Sequence, residues 1–528
     1  MAELEVEVYD TTLRDGTQRE GISLSSGDKL KIARRLDALG VAFIEGGWPG
    51  SNPKDAELFR QARDQAWRSE LCAFGSTRRA ELAVEDDPGL RALLRSGART
   101  CTLFGKSWRL HVAEVLRTSD EDNLKMIEES LAFLRAEGRR VIYDAEHFFD
   151  GYRDDPVYAL ETLRAAVRGG AETVVLCDTN GGSLPWQIFE VVSQVARALR
   201  HPLGIHAHDD GGCGVANTLE AVRAGARHVQ GTINGYGERC GNANLCAVMP
   251  DLELKLGLRC LPDGALGELY EVAHFVAEVA NLQLDEHLAY VGRSAFAHKG
   301  GVHVAAMRRA PSSYQHIDPA RVGNSSRQVV SELSGRANVL GLAESLGLDL
   351  SAGAELEVLG RIKEREARGF SFEAAEASTA LLLRRRTGDY QAPFQLVEYR
   401  VVAGQVEGRS SAAEATIKIL VGDRVVHTAA EGNGPVSALD AALRKALEPT
   451  YPQVREIQLV DYKVRILDGR EGTAATTRVL IDSSDGKSSW STVGAAASIL
   501  EASWQALADS IEFGLNAAEG KRVKEAQA

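Results

Sequence analysis

The chain has 528 residues, of which 44% are apolar and 26% are charged, and its formal net charge is −13. This length predicts roughly two to four domains of about 150 residues each. The acidic balance argues against a general nucleic-acid binder, because contacts with phosphates need clustered Lys and Arg side chains.

Neither a membrane span nor a signal peptide is predicted. The apolar runs are all shorter than the roughly 20 residues that cross a bilayer, and the chain starts with the acidic MAELEVEVYD. Seven cysteines without a C-x-x-C pair are typical of reduced thiols rather than of a disulfide framework. We therefore expect a cytoplasmic protein.

Short β-rich runs alternate with amphipathic helical stretches from residue 4 to about residue 250. The eight runs are residues 5–10, 41–46, 71–75, 100–105, 140–146, 173–180, 202–208 and 228–235. This alternation indicates a parallel sheet, and eight such units predict an α/β fold, a (β/α)8 TIM barrel. A doubly wound open sheet is the alternative, but it would more often carry a Gly-rich phosphate loop after its first strand.

The pattern changes twice beyond the barrel. Residues 261–390 read as helical subdomains, whereas residues 391–515 predict an α+β domain in which strands followed by a helix occur twice. In this weak internal repeat Ser437 aligns with Ser498 and Leu439 with Leu500. We thus predict a catalytic domain over 1–260, the helical linker, a C-terminal domain, and a disordered tail over 516–528.

Polar side chains follow most of the predicted barrel strands. His206 and His208 share one face of their strand, and Asp15 and Glu146 follow other strands. Because the carboxyl ends of barrel strands converge on one mouth, these groups should meet there. Taken singly, the same motifs also fit a turn, a helix cap or a loop ion pair. Taken together, two imidazoles and a carboxylate predict a divalent metal site with open positions.

At LRDGTQ, HAH and GERCGN together, the sequence resembles the acyl-CoA condensing branch of the DRE-TIM metallolyases, which includes 2-isopropylmalate, homocitrate and citramalate synthases. DTTLRDGTQREGISLSSGDKLKIARRLDALGVAFIEGGWPGSNPKD and AFAHKGGVHVAAM look most like the citramalate synthase subfamily. The resemblance covers nearly the whole chain. It implies that acetyl-CoA condenses with pyruvate and that thioester hydrolysis then gives (R)-citramalate and CoA, a step in isoleucine biosynthesis.

The resemblance also implies a metal centre. It makes Asp15, His206 and His208 the ligands, with Asn242 completing the site in some members. Mg²⁺ or Mn²⁺ is expected because substrate oxygens would complete the shell, and Zn²⁺ is possible. Arg14 would face the oxyanion of the bound 2-oxo acid and act in catalysis.

Other residues are assigned to catalysis and to the substrate pocket by the same resemblance. Glu146 is expected to act in catalysis and, with Thr179, to line the pocket. Phe104 is placed near the methyl group of the 2-oxo acid, where its ring would leave room for pyruvate but crowd a branched chain. Asp144 and Tyr314 are further predicted substrate-binding residues.

Two expectations concern the rest of the chain. A partner subunit of a homodimer would deliver His303 for proton abstraction. The C-terminal domain would bind a branched-chain amino acid, with isoleucine expected as the feedback inhibitor, around Gly434, Gly494 and Ala496. One departure from the family pattern is Asp209, which stands where Asn is common after the second histidine.

Three alternatives stay open at this point. A 2-isopropylmalate synthase acting on 2-oxoisovalerate would carry the same motifs. A lyase or aldolase of the superfamily would use the same Arg, Asp and H-x-H set but would not need the duplicated C-terminal domain. A non-catalytic metabolite sensor would keep that domain but could dispense with Arg14 or Glu146. Retention of both halves favours a regulated synthase.

Overall fold

The computed structural model describes residues 5–298, 303, 306, 307, 310–328, 336–348, 350, 353–387, 390–404, 412–467, 472 and 474–527. The chain divides into two compact units. The first comprises Met1–Phe296 and Ile317–Ser325, and the second comprises Ala297–His316 and Ser326–Ala528. Within the described residues, every helix is too short or too polar to cross a membrane.

The first unit is built on eight parallel strands that close into a barrel in chain order. They are β1 Glu7–Asp10, β2 Phe43–Gly47, β3 Glu70–Ser76, β4 Thr100–Lys106, β5 Arg140–Glu146, β6 Thr173–Asp178, β7 Leu203–Ala207 and β8 His228–Gly231. The barrel closes where β8 pairs with β1, with Val229 opposite Val8. The predicted (β/α)8 barrel is confirmed. The open-sheet alternative is wrong because each of the eight strands pairs with a neighbour on both sides.

Helices surround the barrel. They are α1 Ser26–Leu39, α2 Pro53–Ala62, α3 Pro88–Ser96, α4 Arg109–His111, α5 Asp120–Ala136, α6 Phe148–Asp154, α7 Pro156–Arg168, α8 Pro185–Leu199, α9 Gly214–Arg223, α10 Leu245–Pro250 and α11 Leu269–Val279. The local sequence determines where several of these helices begin. Ser25 and Asp28 form a reciprocal capping box at the N-terminus of α1. Asp155 accepts hydrogen bonds from two N–H groups at the start of α7, which begins with Pro156.

Single helical turns fill several connections. The 3-10 turns are Gly16–Gln18, Val84–Asp86, Ile233–Gly235, Ala265–Glu268, Pro311–Ser313, Pro319–Val322, Phe372–Ala374 and Pro452–Glu456. Two π-helical turns, Val112–Leu116 and Asp251–Lys255, extend α4 and α10.

The second unit begins with short elements. β9 Ala297–His298 pairs in parallel with β10 Arg327–Gln328. Three helices follow: α12 Arg336–Ser345, α13 Ala354–Ala367 and α14 Glu376–Arg384. This stretch agrees in character with the helical subdomains predicted from the sequence.

Two three-stranded antiparallel sheets complete the second unit. The first sheet has β11 Gln395–Gly404, β12 Ala412–Val421 and β13 Arg424–Gly432, and α15 Pro435–Leu447 follows it. The second sheet has β14 Gln458–Ile466, β15 Thr477–Ser484 and β16 Ser489–Ala496, and α16 Ile499–Gln527 follows it. The internal repeat is thus real. Alternate residues of β12 and β15, such as Ile417 and Ile481, pack into a shared apolar core with Leu443 and Leu507.

Two details differ from the sequence-based expectations. Helix α16 continues to Gln527, through residues expected to be a disordered tail; the Lys, Glu and Ala residues there are good helix formers. Gly494 lies inside β16 rather than in an open turn, and a Cβ at this position would meet the carbonyl oxygen of Ala502 at 2.0 Å. Gly434 does precede α15 directly, as its N-cap residue.

Candidate active site

Side chains from the strand ends meet in a cavity of about 190 Å³ at the mouth of the barrel. The structure brings eight of the predicted site residues to its walls: Arg14, Asp15, Phe104, Asp144, Glu146, Thr179, His206 and His208. This convergence follows from closure of the barrel, because the carboxyl ends of its parallel strands share one mouth. A small organic acid fits a volume of this size.

Asp15, His206 and His208 form a buried cluster whose potential ligand atoms all lie within 4.8 Å of one another. The Nε2 atoms of the two histidines are 3.3 Å apart, and Asp15 Oδ2 lies 3.6 Å from His206 Nε2. Burial lowers the pKa of His206 to about 3 and also lowers the pKa of His208. Both imidazoles are therefore neutral at pH 7 and offer lone pairs to a metal ion.

Asn242 adjoins this cluster. The backbone of Asn242 forms an isolated antiparallel β-bridge with that of His208. The side-chain amide Nδ2 of Asn242 donates a hydrogen bond of 3.0 Å to Asp15 Oδ1. Among the described residues, the buried Asn242 Oδ1 has no hydrogen-bond donor. Although burial opposes it, the charge of Arg14 lowers the pKa of Asp15 to about 2. A carboxylate, two neutral imidazoles and an unused amide oxygen fit a divalent cation.

Gln230 supports the cluster from β8. Its Oε1 lies 3.0 Å from His206 Nδ1, and its Nε2 donates to Asp144 Oδ1 at 3.0 Å. A proton on His206 Nδ1 satisfies this contact and leaves Nε2 free for a metal ion. Burial raises the pKa of Asp144 to about 8. The sequence analysis missed Gln230, although a polar residue at an inward position of a buried strand is a usable signal.

Arg14 is held in place by two carboxylates. Its Nε and Nη2 donate to the two oxygens of Glu45 at 2.8 and 3.0 Å, and its Nη1 donates to Asp15 Oδ2 at 3.0 Å. The guanidinium also lies over the ring of Phe74, 3.8 Å from the centroid. This forked pairing fixes the orientation of the cation at the cavity wall.

Glu146 and Thr179 lie on the wall formed by β5 and β6. Glu146 forms a close ion pair with Lys106 at the end of β4. The Thr179 hydroxyl oxygen accepts a hydrogen bond of 2.8 Å from the backbone N–H of His147. His147 has a φ of 56°, which is uncommon for a residue other than glycine, and this conformation turns its N–H toward Thr179.

Three aromatic rings form the apolar wall of the cavity. Phe104 stacks on Phe74 with centroids 5.4 Å apart, and Trp48 meets both rings edge-on at 5.5 and 5.8 Å. Phe104 was predicted to lie here, whereas Trp48 and Phe74 were not. No motif distinguishes these two rings from ordinary core residues.

The remaining predicted residues lie elsewhere. His303 and Tyr314 belong to the second unit, where their rings stack with centroids 4.4 Å apart. Asp209 accepts a hydrogen bond of 2.6 Å from the Gly214 N–H and so caps the start of α9. Ala496 lines a cavity of about 570 Å³ in the second unit.

Family models match almost the whole chain. The HMGL-like model matches residues 5–276, the homocitrate synthase post-HMGL domain-like model matches residues 290–369, and the LeuA allosteric (dimerisation) domain model matches residues 373–515. The barrel and its site thus define the class: the chain belongs to the HMGL-like family.

Individual relatives place the chain more narrowly within this family. The chain is 51% identical to (R)-citramalate synthase of Geobacter sulfurreducens, over 97% of this chain and 98% of the relative. It is 54% identical to (R)-citramalate synthase of Synechocystis, over 96% of both chains. Against 2-isopropylmalate synthase of Methanocaldococcus jannaschii the identity falls to 28%, over 98% of this chain and 96% of the relative. Within the HMGL-like family, the chain is therefore a member of the (R)-citramalate synthases.

Proposed function

We propose that this enzyme condenses acetyl-CoA with pyruvate and hydrolyses the resulting thioester to (R)-citramalate and CoA, in isoleucine biosynthesis. A carbon–carbon bond forms between the acetyl methyl carbon and the ketone carbon of pyruvate. Water then adds to the thioester carbonyl and CoA leaves as a thiol. The observation that carries the proposal is the meeting of Asp15, His206, His208 and Arg14 at a cavity sized for a small acid.

Asp15, His206 and His208 would hold a divalent cation, with the Asn242 amide oxygen as a further donor. Mg²⁺ or Mn²⁺ would suit this set because both metals accept oxygen ligands, which the 2-oxo acid would supply, and Zn²⁺ is the alternative. When bound, the cation supplies Lewis-acid polarisation of the ketone.

Arg14 stabilises the negative charge that develops on the ketone oxygen. Because Glu45 and Asp15 already fix its guanidinium, little reorganisation is needed at the moment of attack. A fixed donor of this kind contributes about 3 kcal/mol to transition-state stabilisation. Thr179, whose hydroxyl oxygen already accepts a hydrogen bond from the His147 backbone N–H, donates a hydrogen bond to the carboxylate of the acid.

Removal of the acetyl methyl proton needs a base. In the homodimer, His303 of the partner subunit takes this proton, a step typically worth about 10²- to 10⁴-fold in rate. The ion pair with Lys106 holds the Glu146 carboxylate at the cavity wall, where it orients the acid and the attacking water.

The aromatic wall selects pyruvate. Phe104 and its neighbours Trp48 and Phe74 leave room for a methyl group and crowd a branched chain. Since an apolar pocket rejects one extra methylene by only about 1 to 3 kcal/mol, some turnover of 2-oxobutyrate accompanies this preference.

Incubation with acetyl-CoA and a panel of 2-oxo acids, followed by release of free thiol, tests the proposal. We expect the highest kcat/KM with pyruvate and a measurable value with 2-oxobutyrate. If 2-oxoisovalerate is the best acceptor, the enzyme is a 2-isopropylmalate synthase. Cleavage of citramalate or of its CoA thioester without any condensation would make it a lyase.

The second unit regulates the enzyme by binding isoleucine. Its cavity of about 570 Å³ combines the small side chains Ala495 and Ala496 with the ring of Trp504 and the cation of Arg365. Small and apolar groups suit an aliphatic side chain, and a guanidinium suits an amino-acid carboxylate. Of the residues predicted from the sequence, Ala496 lies at this cavity and Gly434 caps α15.

A further inference from the structure

The Thr179 hydroxyl lies at the active-site cavity as a hydrogen-bond donor. Thr179 lines the cavity, and its hydroxyl oxygen accepts a hydrogen bond of 2.8 Å from the backbone N–H of His147. Within the described residues, the proton of this hydroxyl has no acceptor. A hydroxyl that accepts on one side directs its proton to another. The direction of the Thr179 proton therefore depends on where the His147 N–H points.

The backbone of His147 is held in an unusual conformation. Its φ of 56° is unfavourable for a residue with a side chain and persists only where neighbouring contacts hold it. His147 is the N-cap residue of α6, and its ring Nδ1 lies 3.3 Å from Oδ2 of Asp150 in the first turn of that helix. Because a carboxylate only accepts hydrogen bonds, this contact needs a proton on Nδ1. Asp150 thus anchors the residue whose N–H orients Thr179.

The same carboxylate reaches the loop after β6. Asp150 Oδ2 accepts a hydrogen bond of 2.9 Å from Nδ2 of Asn180, the residue next to Thr179. Asp150 Oδ1 accepts a hydrogen bond of 2.8 Å from Nη2 of the exposed Arg153. The buried carboxylate therefore holds both the donor His147 and the neighbour of the acceptor Thr179.

The backbone of Thr179 has a separate anchor. Its carbonyl oxygen accepts a hydrogen bond of 2.7 Å from Nη2 of Arg239, in the loop after β8. Arg239 is itself fixed by hydrogen bonds of 2.7 and 2.9 Å to the two carboxylate oxygens of Asp210. Because this anchor is independent of Asp150, loss of the Asp150 carboxylate should release the Thr179 hydroxyl but leave the backbone in place.

From these contacts we infer that Asp150 is a positioning residue, which fixes the Thr179 hydroxyl with its proton directed at the carboxylate of the 2-oxo acid. Asp150 lies behind the cavity wall and acts through His147 and Asn180. Because the acid keeps its carboxylate throughout the reaction, this contact serves binding rather than the chemical step. The inference rests on the proposed function for the identity of the acid, although every 2-oxo acid carries such a carboxylate.

Steady-state kinetics of Asp150→Ala give the first test. We expect the KM for the best 2-oxo acid to rise about 3- to 10-fold with kcat unchanged, because a hydrogen bond to the carboxylate is weakened in the ground and transition states alike. The KM for acetyl-CoA and the bound metal, measured by mass spectrometry, should stay the same. Asp64→Ala, at an exposed aspartate just after α2, is the matched control and should change none of these values. A lower kcat with an unchanged KM would overturn the inference.

A double-mutant cycle with Thr179→Val shows whether Asp150 acts through the hydroxyl. Valine keeps the shape of threonine without the hydroxyl, so Thr179→Val should raise the same KM by about 5- to 20-fold. Adding Asp150→Ala to Thr179→Val should then change the KM by less than about 2-fold, because no proton is left to direct. If the two effects multiply instead, Asp150 does not act through Thr179 and the inference is wrong.

A variant at the exposed Asn180 tests the same contact without removing a buried group. Asn180→Asp faces Asp150 with a second carboxylate and should raise the KM by about 3- to 10-fold, because like charges repel. Combining it with Asp150→Asn exchanges donor and acceptor, and the KM should return to within about 2-fold of the unaltered value. A combined variant that is no better than Asn180→Asp alone would contradict the inference.

Calorimetry with pyruvate and Mg²⁺, without the thioester, separates this inference from the proposed reaction. We expect Asp150→Ala to weaken the Kd for pyruvate by about 3- to 10-fold, and to have little effect once Thr179→Val is present. If this coupling is seen but the enzyme condenses no 2-oxo acid, the proposed function fails and the role of Asp150 stands. If the enzyme condenses pyruvate but Asp150→Ala binds it normally, the function stands and this inference is wrong.

Discussion

The cavity at the barrel mouth and the cavity of the second unit use their charged groups in opposite ways. In the barrel, the Arg14 guanidinium already makes hydrogen bonds to Glu45 and Asp15. In the second unit, Arg385 is paired with Asp509 and Glu512, but within the described residues Arg365 makes no ion pair. Burial lowers the pKa of Arg365; the charge of Asp509 opposes this lowering, and repulsion from Arg385 adds to it.

The two arrangements of charge suit two different roles. A site in which donors are fixed before the substrate arrives stabilises a transition state, because no reorganisation is left for the moment of reaction. A site whose cation makes no direct ion pair gains such a partner when an anion binds, which favours one conformation of the unit. The barrel site therefore suits catalysis, and the cavity of the second unit suits sensing.

The largest effect should come from the metal cluster. We expect His208→Ala to lose bound divalent metal and to lower kcat/KM by about 10³-fold or more, since Lewis-acid chemistry disappears with the ion. Metal content by mass spectrometry and thiol release measure the two losses. The exposed His287 provides the control, as His287→Ala should keep both. Full turnover after exhaustive chelation would refute a metal-dependent site.

Next in size is the loss of the guanidinium fork. Arg14→Lys should lower kcat/KM for pyruvate by about 10²- to 10³-fold with a small change in melting temperature, because a point ammonium cannot keep both Glu45 and the oxyanion. Stopped assays and calorimetric melting check the two quantities. A variant with a normal rate and a lowered melting temperature would mean that Arg14 is only a structural ion-pair partner.

Much of the barrel side of this contrast could be predicted from the sequence. Strand ends are local features, and the barrel mouth collects the side chains that follow them, so the sequence predicts that His206, His208 and strand-end carboxylates meet there. The choice of Asp15 among those carboxylates is implied by the family resemblance. Gln230 was not predicted, because one polar residue inside a strand forms no motif, and its partner Asp144 lies 86 residues away in the chain. Contacts of such separation leave no periodic trace in one sequence.

Trp48 shows a second limit. Its position depends on Asp55, whose carboxylate accepts a hydrogen bond of 2.8 Å from the Trp48 backbone N–H. The same carboxylate pairs with the buried Lys29 of α1. A buried ion pair that orients a loop is invisible to hydrophobic patterning, which reads Lys29 as a surface residue. The strand–helix repeat of the second unit, in contrast, was predictable because it recurs in the sequence itself.

Substrate selection should change by an intermediate amount. Phe104→Ala removes the ring beside the methyl pocket, and we expect the kcat/KM ratio of 2-oxoisovalerate to pyruvate to rise by about 10- to 100-fold. Paired assays with the two acids measure that ratio. Phe189→Ala on α8 is the control, since Phe189 is half-exposed on the outside of the barrel. An unchanged ratio would mean that Phe104 only supports Trp48 and Phe74.

The smallest effect should come from the second unit, because an effector acts only through its preference for one of two conformations, typically by about 1 to 3 kcal/mol of coupling. We expect isoleucine to inhibit the unaltered enzyme, and Arg365→Ala to raise the inhibition constant about 3- to 10-fold with kcat unchanged, since the lost contact is one charged hydrogen bond. Inhibition curves at fixed pyruvate give both quantities, and Arg424→Ala at an exposed strand position is the matched control. If Arg365→Ala is inhibited like the unaltered enzyme, the effector lies outside this cavity. If isoleucine, leucine and valine all fail to bind in calorimetry, the second unit is a dimerisation module and the sensing half of the contrast falls.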